Sequence, residues 1–231
     1  MNLTNRLQQM SDVAGDPPLV HEGAPGGVWG ASNPLYEFLA VHVQPGSVTL
    51  ETGLGMSTLL FSMWAGQHVC VVGSGSQVDA LRSHAEQRQI DLSNVRFEVG
   101  SSDQVLPTLR LDHVDLYLVD GGHGFPHPAI DWYYGALMMH DGGIVVIDDI
   151  QLRSVREYLV DFLEKDPRWV RLAGDHKWVA YRKQGDFSVR EEWTEQRFLG
   201  RPRLPVMSRL KISVNRALKD VRWARNRRPS D

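Results

Sequence analysis

Apolar and polar residues recur along the chain with two different periodicities, and these predict its secondary structure. Short runs rich in Val, Ile and Leu are typical of buried strands, while apolar residues recurring every three or four positions predict helices. The predicted strands are SVTLETG, HVCVVG, VRFEVG, VDLYLVDGG and GGIVVIDDI, followed by WVRLAG and KWVAYRK as a terminal hairpin. The predicted helices run from about Trp29 to Val43, over residues 56–66, and through QVDALRSHAEQRQ, HPAIDWYYGALMMH and SVREYLVDFLEKD.

Strands that alternate with helices indicate an α/β fold in which a parallel sheet is covered on both faces. Sheets of this kind bind ligands just beyond the carboxyl ends of their strands. The residues that immediately follow each predicted strand are therefore the first candidates for a functional site.

The chain divides into three predicted parts. Residues 1–28 include the Pro- and Gly-rich stretch GDPPLVHEGAPGG and show no periodicity, so we expect an irregular N-terminal lead-in. Residues 29–185 carry the strand–helix pattern, and residues 186–231 form a C-terminal extension. Within that extension, apolar residues from Leu210 to Val221 recur at helical spacing among Arg and Lys, which predicts a basic amphipathic helix.

Composition and charge limit the classes of protein to which this chain could belong. Of the 231 residues, 42% are hydrophobic and 23% are charged, which supports a sizeable core and excludes a wholly disordered chain. Residues 201–231 hold ten basic against two acidic residues, a net charge of +8, whereas the formal charge of the whole chain is −3. The rest of the chain is therefore acidic, and a negative net charge argues against nucleic acid as a partner. The basic helix fits packing on protein, self-association or peripheral contact with an anionic membrane.

The single cysteine, Cys70, excludes an internal disulfide and a cysteine zinc site. The polar start, MNLTNRLQQMSD, lacks the apolar core of a signal peptide. No apolar run reaches the roughly 18 residues that a membrane-spanning helix needs. We therefore expect a cytoplasmic protein.

A glycine-containing turn follows the first predicted strand, in the segment ETGLGMST. Gly53 and Gly55 allow a tight turn and the close approach of a ligand to the backbone, and Glu51 supplies an acceptor. Thr58 stands where a nicotinamide-binding fingerprint would place a third glycine. Taken alone, the pattern fits either a ligand-binding loop or a simple structural turn.

Three carboxylates end two later strands. Asp120 ends the fourth predicted strand, and Asp148 and Asp149 end the fifth. Neighbouring strands lie about 5 Å apart, so the three groups would meet at one edge of the sheet. Their repulsion would raise at least one pKa unless a divalent cation binds, and all-oxygen ligation suits Mg²⁺, Ca²⁺ or Mn²⁺. The alternative is that the acids only cap a helix and order a loop.

His123 follows in the segment DGGHG, above the expected pocket. Imidazole titrates near neutral pH, which suits a general base. The alternatives are a fourth metal ligand and a plain loop histidine. His127 stands between two prolines and is expected at the surface.

The strand order, the E-x-G-x-G-x-S-T turn and the LVDGGH and GGIVVIDD segments together resemble class I S-adenosylmethionine-dependent methyltransferases. More narrowly, they resemble bacterial O-methyltransferases that modify small molecules and sugars. The resemblance covers about residues 30–183. It implies a Rossmann-like, doubly wound, mostly parallel seven-stranded sheet with an antiparallel terminal hairpin. It also implies S-adenosyl-L-methionine as the cofactor and a small-molecule or glycan hydroxyl as the methyl acceptor. It further implies a divalent cation held by the three acids, with Mg²⁺ as the first choice of ion.

The resemblance assigns roles to single residues. Glu51 would lie near the methionine or ribose part of the cofactor, the two glycines would lie beneath it, and Ser57 and Thr58 would cap the next helix. Ser101 and Ser102 match the place where such enzymes contact adenine. The candidate cofactor-binding residues are Glu51, Gly53, Gly55, Ser57, Thr58, Ser74, Ser101, Ser102 and Asp120; the candidate metal ligands are Asp120, Asp148 and Asp149; the candidate base is His123.

One departure from the family pattern keeps other functions open. Strand two usually ends in an acid that holds the ribose hydroxyls, whereas this chain has VGSGS there, so Ser74 or Ser76 would have to substitute. A non-catalytic binding or scaffold protein on the same fold is therefore one alternative. A metal-dependent hydrolase or hydroxylase-like relative is another, by analogy of fold.

Overall fold

The computed structural model describes residues 2–21, 23, 30–192 and 194–200. Residues up to Glu191 form one compact unit, and a second unit begins at Glu192. The described part of the second unit includes a 3₁₀ turn at Arg197–Leu199. Trp29 and the expected basic amphipathic helix lie outside the described residues.

A seven-stranded sheet organises the first unit, with the strand order β3-β2-β1-β4-β5-β7-β6. Strands β1 to β5 pair in parallel, and β7 pairs antiparallel with both β5 and β6. The expected Rossmann-like, mostly parallel sheet with an antiparallel terminal hairpin is confirmed. The strands are β1 (Val48–Thr52), β2 (Gln67–Val72), β3 (Val95–Val99), β4 (Val114–Val119), β5 (Met139–Ile147), β6 (Trp169–Gly174) and β7 (Val179–Lys183).

Helices connect the strands and lie on both faces of the sheet. They are α1 (Leu3–Gly15), α2 (Asn33–His42), α3 (Met56–Trp64), α4 (Gly75–Gln87), α5 (Ser102–Val105), α6 (His127–Met138), α7 (Arg153–Val155) and α8 (Asp161–Leu163), with a π-helical turn at Arg156–Val160 between the last two. None of the described helices is long and apolar enough to cross a membrane.

The alternation of side chains along β4 shows how both faces are filled. Leu116 and Leu118 belong to the apolar cluster that includes residues of α2 and α3, whereas Tyr117 and Val119 belong to the cluster that includes residues of α6. All four side chains are buried. Successive strand residues point to opposite faces, so a strand buried on both sides must be apolar throughout.

The N-terminal segment differs from its expected irregular state, because α1 occupies residues 3–15. The side chain of Asn2 caps this helix by accepting a hydrogen bond from the main chain of Asn5 at 2.9 Å. Met10 and Val13 are buried. Arg6 is buried as well and donates hydrogen bonds to the main-chain oxygens of Ala40 (2.9 Å) and Val43. The prediction was wrong here because α1 is mostly polar and buries only a narrow stripe.

Candidate active site

A cavity of about 350 Å³ lies at the carboxyl edge of the sheet, where the sequence pattern placed the functional residues. Of the predicted cofactor-binding residues, Gly53, Ser101, Ser102 and Asp120 line it. The other lining residues are His21, Thr52, Leu54, Val71, Val72, Gly73, Gln77, Gly100, Gly121, Gly122 and His127. His127, expected at the surface, therefore contributes to the wall.

Gly53 shapes this cavity through its backbone. Its φ is +99°, in the region that residues with a side chain rarely adopt. A Cβ atom at this position would come within 2.2 Å of the main-chain oxygen of Asp120. The loops after β1 and β4 therefore touch at Gly53, and a larger residue would displace the backbone as well as fill the cavity.

Glu51 lies below the cavity, in a buried hydrogen-bond network. Its side chain is 1% exposed and does not line the cavity. Its carboxylate accepts hydrogen bonds from the hydroxyls of Ser57 at 2.7 Å and Thr58 at 2.5 Å, and His68 Nε2 lies 3.0 Å away. Thr58 Oγ1 in turn accepts the N–H of Gly55 at 3.1 Å. These contacts fix the turn that enters α3.

Ser74 caps α4 and does not line the cavity. Its hydroxyl accepts the N–H of Ser76 at 3.3 Å, and the two hydroxyls lie 2.7 Å apart. Gln77, the third residue of α4, lines the cavity instead. Gln77 was not among the predicted residues, because a polar group directly at the strand end was expected in its place. The usable signal was an amide in the first turn of the helix after β2.

His123 lies between two of the predicted acids. Its Nε2 is 2.9 Å from Asp149 Oδ2 and 4.0 Å from Asp120 Oδ1. Asp149 has a φ of +55°, a conformation that is uncommon outside glycine and recurs at functional sites. The hydroxyl of Ser154 donates a hydrogen bond to the main-chain oxygen of His123. The loop after β4 is thereby fastened to the segment after β5.

Lys177 is an unpredicted member of this cluster. Its ammonium group lies 2.9 Å from Asp148 Oδ2 and 3.0 Å from Asp149 Oδ1. Asp148 is 2% exposed, and its Oδ1 has no hydrogen-bond partner among the described residues. The structure thus groups Asp120, His123 and Asp149, with ligand atoms within 4.8 Å of one another, and places Asp148 against the lysine.

The position of Lys177 depends on strand order. It precedes β7, which pairs antiparallel with β5, and its main-chain oxygen accepts the N–H of Ile150 at 2.8 Å. Nothing in the local sequence pairs Lys177 with acids 28 or 29 residues earlier. Only the sheet topology brings the two segments together.

The electrostatics of the cluster follow from burial and from these pairs. Burial and the nearby carboxylates of Asp148 and Asp149 raise the pKa of Asp120 well above its usual range. Burial also raises the pKa of Asp148, although Lys177 opposes it. The hydrogen bond with His123 lowers the pKa of Asp149. Burial acts to lower the pKa of Lys177, but hydrogen bonds and attraction to the two aspartates outweigh it and raise that pKa.

Asp131 of α6 is a further carboxyl near the cavity, behind its wall. It is fully buried, and neither carboxylate oxygen has a hydrogen-bond partner within the described part of the chain. Burial raises its pKa, while the neighbouring hydroxyls of Ser102 and Thr52 act in the opposite direction. A Cβ atom on Gly121 would lie 3.1 Å from Asp131 Oδ2. The glycine therefore lets the cavity wall pack on this carboxyl.

Residues 50–150 match the family model of a methyltransferase domain. No curated protein matches the chain significantly. Among solved structures, the chain is similar to the O-methyltransferase TomG of Streptomyces achromogenes, involved in tomaymycin synthesis and solved with S-adenosylmethionine. The identity is 17% and the TM-score 0.58, and the similarity covers 79% of this chain and 89% of that one.

Two further solved structures share the fold. An O-methyltransferase from Bacillus cereus, in complex with S-adenosylhomocysteine, is 17% identical with a TM-score of 0.52 over 78% of this chain and 90% of that one. The methyltransferase PaMTH1 of Podospora anserina, also bound to S-adenosylhomocysteine, is 15% identical with a TM-score of 0.55 over 79% and 88%. Residues 50–150 thus match a methyltransferase-domain model, and the chain shares its fold with O-methyltransferases solved with S-adenosylmethionine or S-adenosylhomocysteine.

Proposed function

We propose that the protein transfers the methyl group of S-adenosylmethionine to a hydroxyl oxygen of a small molecule or sugar, in the cytoplasm. The observation that carries the proposal is the juxtaposition of two features. One is a cavity lined by the backbone of Gly53 and the hydroxyls of Ser101 and Ser102. The other is the pair of His123 and Asp149 at the same edge of the sheet, next to Asp120. A non-catalytic binding protein would need the cavity but not the pair.

The cofactor prediction now rests on the residues that line the cavity. We expect the adenine against Ser101 and Ser102 and the methyl-donor end near Asp120. Gln77 lines the cavity from the first turn of the helix after β2, so we assign its amide oxygen the ribose hydroxyls. An amide oxygen accepts a weaker hydrogen bond than a carboxylate does, and the affinity for the cofactor should be correspondingly modest.

His123 is the proposed general base. Its Nε2 is engaged with Asp149, so the opposite ring nitrogen, Nδ1, would accept the proton of the acceptor hydroxyl. The acceptor oxygen then forms a bond to the methyl carbon, the carbon–sulfur bond breaks, and its electron pair stays on sulfur. S-adenosylhomocysteine leaves as the product. Asp149 would hold the imidazole in one orientation and stabilise its protonated form, as a carboxylate partner of a catalytic histidine does.

The donor set also fits the expected divalent cation. Carboxylate oxygens of Asp120 and Asp149 converge, and Oδ1 of the buried Asp148 has no partner among the described residues. Asp120, Asp148 and Asp149 would hold the ion, which would lower the pKa of the acceptor hydroxyl. Lys177 already supplies one positive charge to this cluster, so it would compete with the ion for Asp148 and Asp149.

Calorimetric titration with S-adenosylmethionine tests the cofactor assignment. We expect saturable binding that Gln77→Ala weakens, because the ribose loses an acceptor, and that Gln87→Ala at the far end of α4 leaves unchanged. Absence of any binding at millimolar cofactor would favour the non-catalytic alternative and remove methyl transfer.

Turnover of a His123→Ala variant tests the base. Loss of a general base should lower kcat by about 10²- to 10⁴-fold while the affinity for S-adenosylmethionine stays the same. His84→Ala, on α4, is the matched control and should retain full turnover. Equal kcat values for His123→Ala and the unmodified protein would exclude His123 as the base.

A Lys177→Met variant tests the divalent cation. Without the ammonium group, Asp148 is left buried and unpaired, so stability should fall by about 1–3 kcal/mol. Added Mg²⁺ or Mn²⁺ should restore the melting temperature, because a cation again neutralises the acids. Lys165→Met, at an exposed position, should show neither effect. A loss of stability that no divalent ion repairs would mean that the acids do not form a metal site.

A further inference from the structure

A second cluster of metal-ligating side chains lies at the opposite, amino-terminal edge of the sheet. Asp115 and His140 are the second residues of β4 and β5, which start side by side with Val114 paired to Met139. His113 directly precedes β4. The cluster belongs to neither the cavity nor the acids at the carboxyl edge, and the proposed methyl transfer does not use it.

The three side chains converge on one point. His113 Nε2 lies 3.2 Å and His140 Nε2 lies 3.1 Å from the same oxygen, Oδ1 of Asp115. All three ligand atoms lie within 4.8 Å of one another. The second oxygen, Oδ2, accepts the N–H of Val48 at 2.8 Å, so the carboxylate is anchored to β1 and presents Oδ1 to the imidazoles. Metal-binding carboxylates are commonly oriented by such a hydrogen bond.

These distances match the coordination shell of a small transition-metal ion. With bonds of about 2.0–2.1 Å to nitrogen and oxygen, neighbouring ligand atoms of a tetrahedral ion lie about 3.3 Å apart. Two imidazoles and one carboxylate form a donor set that suits Zn²⁺ better than Mg²⁺ or Ca²⁺. We propose that His113, Asp115 and His140 bind Zn²⁺ or a similar first-row divalent ion.

Exposure and mobility of the ligands are compatible with an open site. The side chains of His113, Asp115 and His140 are 56%, 31% and 31% exposed, so an ion can enter and a solvent molecule can fill the fourth position. The two imidazole rings now stack with centroids 3.8 Å apart. One ring must turn to point its nitrogen at a shared ion, and the exposed His113 is free to do so. The bound ion would join the starts of β4 and β5.

The test uses the full-length, metal-free protein carrying His123→Ala, so that the group of Asp120, His123 and Asp149 no longer offers an imidazole. Titration with Zn²⁺ should show saturable binding and a higher melting temperature. Co²⁺ should give the strong visible absorption of a four-coordinate ion. Adding His113→Ala and His140→Ala should weaken Zn²⁺ binding at least tenfold, whereas adding His84→Ala should not.

His113→Ala alone keeps the test valid if the variant without His140 is unstable, because His113 is exposed and precedes the strand. It too should weaken Zn²⁺ binding and abolish the cobalt absorption. The proposal is overturned if Zn²⁺ does not bind, or if it binds equally to the variants that lack these histidines. Neither readout involves S-adenosylmethionine, so the outcome of this test does not depend on whether the proposed methyl transfer is correct.

Discussion

At the scale of single residues, Asp131 holds a carboxyl group in surroundings that disfavour its charge. It is fully buried, without a hydrogen-bond partner among the described residues, and burial raises its pKa. A carboxyl whose pKa is higher in the folded than in the unfolded chain favours folding less as pH rises. The folded protein must then either keep the proton or bury a charge.

An Asp131→Asn variant should therefore be more stable than the unmodified protein at pH 8. The stability of the unmodified protein falls as pH rises from the unfolded pKa, about 3.9, towards the raised folded value, and the amide removes this loss. Melting temperatures between pH 3 and pH 8 would show the difference growing with pH. Asp91→Asn is the control, and it should change stability in the opposite direction. Hydrogen bonds from Ser93 lower the pKa of Asp91, so its charged form favours folding. A pH-independent difference for Asp131→Asn would contradict this account.

Spacing in the sequence could predict those site residues whose positions depend only on where a strand ends. Asp120 and Asp149 follow β4 and β5, which are neighbours, so their proximity follows from the parallel sheet. Lys177 lies just before the antiparallel strand β7, and its place depends on the order of strands across the sheet. Gln77 depends on which way a helical side chain points. Neither is encoded in local spacing.

At the scale of secondary-structure elements, α6 packs closely against β4 at a glycine. Gly135 of α6 lies against the buried ring of Tyr117, and a Cβ atom there would come within 2.0 Å of the ring carbon Cε1. The absence of a side chain at this position lets the helix approach the sheet. Helix α6 starts directly after the loop that holds His123. The packing of α6 on β4 therefore also positions that loop.

A Gly135→Ala variant should lose stability even though alanine favours helices. The added methyl group overlaps the ring of Tyr117, and overpacking of this kind costs about 1–3 kcal/mol. Urea unfolding would measure the loss. Gly75→Ala, at the start of α4, meets no atom within 4 Å and should be neutral or slightly stabilising. Equal stability of Gly135→Ala and the unmodified protein would mean that α6 can shift away without cost.

Element types were predictable wherever apolar residues dominate, and less so elsewhere. The central strands β2 and β4 are near-continuous apolar runs because both of their faces are buried. Helix α1 was missed because it buries a narrow stripe, Arg6 among its members. A buried arginine that donates to main-chain oxygens looks, in the sequence, like any solvent-exposed charge.

At the scale of the whole molecule, α1 completes one of the two layers that cover the sheet. Met10 and Val13 belong to the same apolar cluster as residues of α2 and α3. Trp64 at the end of α3 donates a hydrogen bond to the side chain of Gln9 at 2.9 Å. The N-terminal residues are thus part of the folded core.

Deletion of residues 1–16 should therefore destabilise the protein. Loss of the buried Met10 and Val13 removes about 1.5–3 kcal/mol each, so unfolding should cost about 3–6 kcal/mol less. Chemical denaturation would measure this. Leu3→Ala, at a residue that is 46% exposed, is the control and should change stability little. Unchanged stability after the deletion would show that α1 only rests on the surface.

The alternation of strands and helices predicted the global architecture, because that pattern has few compact solutions. The pattern could not predict which side chains from distant segments meet at the two edges of the sheet. The carboxyl edge gathers Lys177 from beyond β6, and the amino edge gathers His113, which precedes β4, and His140 of β5. Both groupings come from topology.

The hydrogen bond from Ser154 to the main chain of His123 has a consequence for motion. It ties the loop after β4 to the segment after β5, and the bond from Ile150 to Lys177 ties that segment to the turn between β6 and β7. Three loops around the acids are thus linked in series and should open together, in a single cooperative fluctuation. Amide protons across all three loops would then exchange with solvent at a common rate.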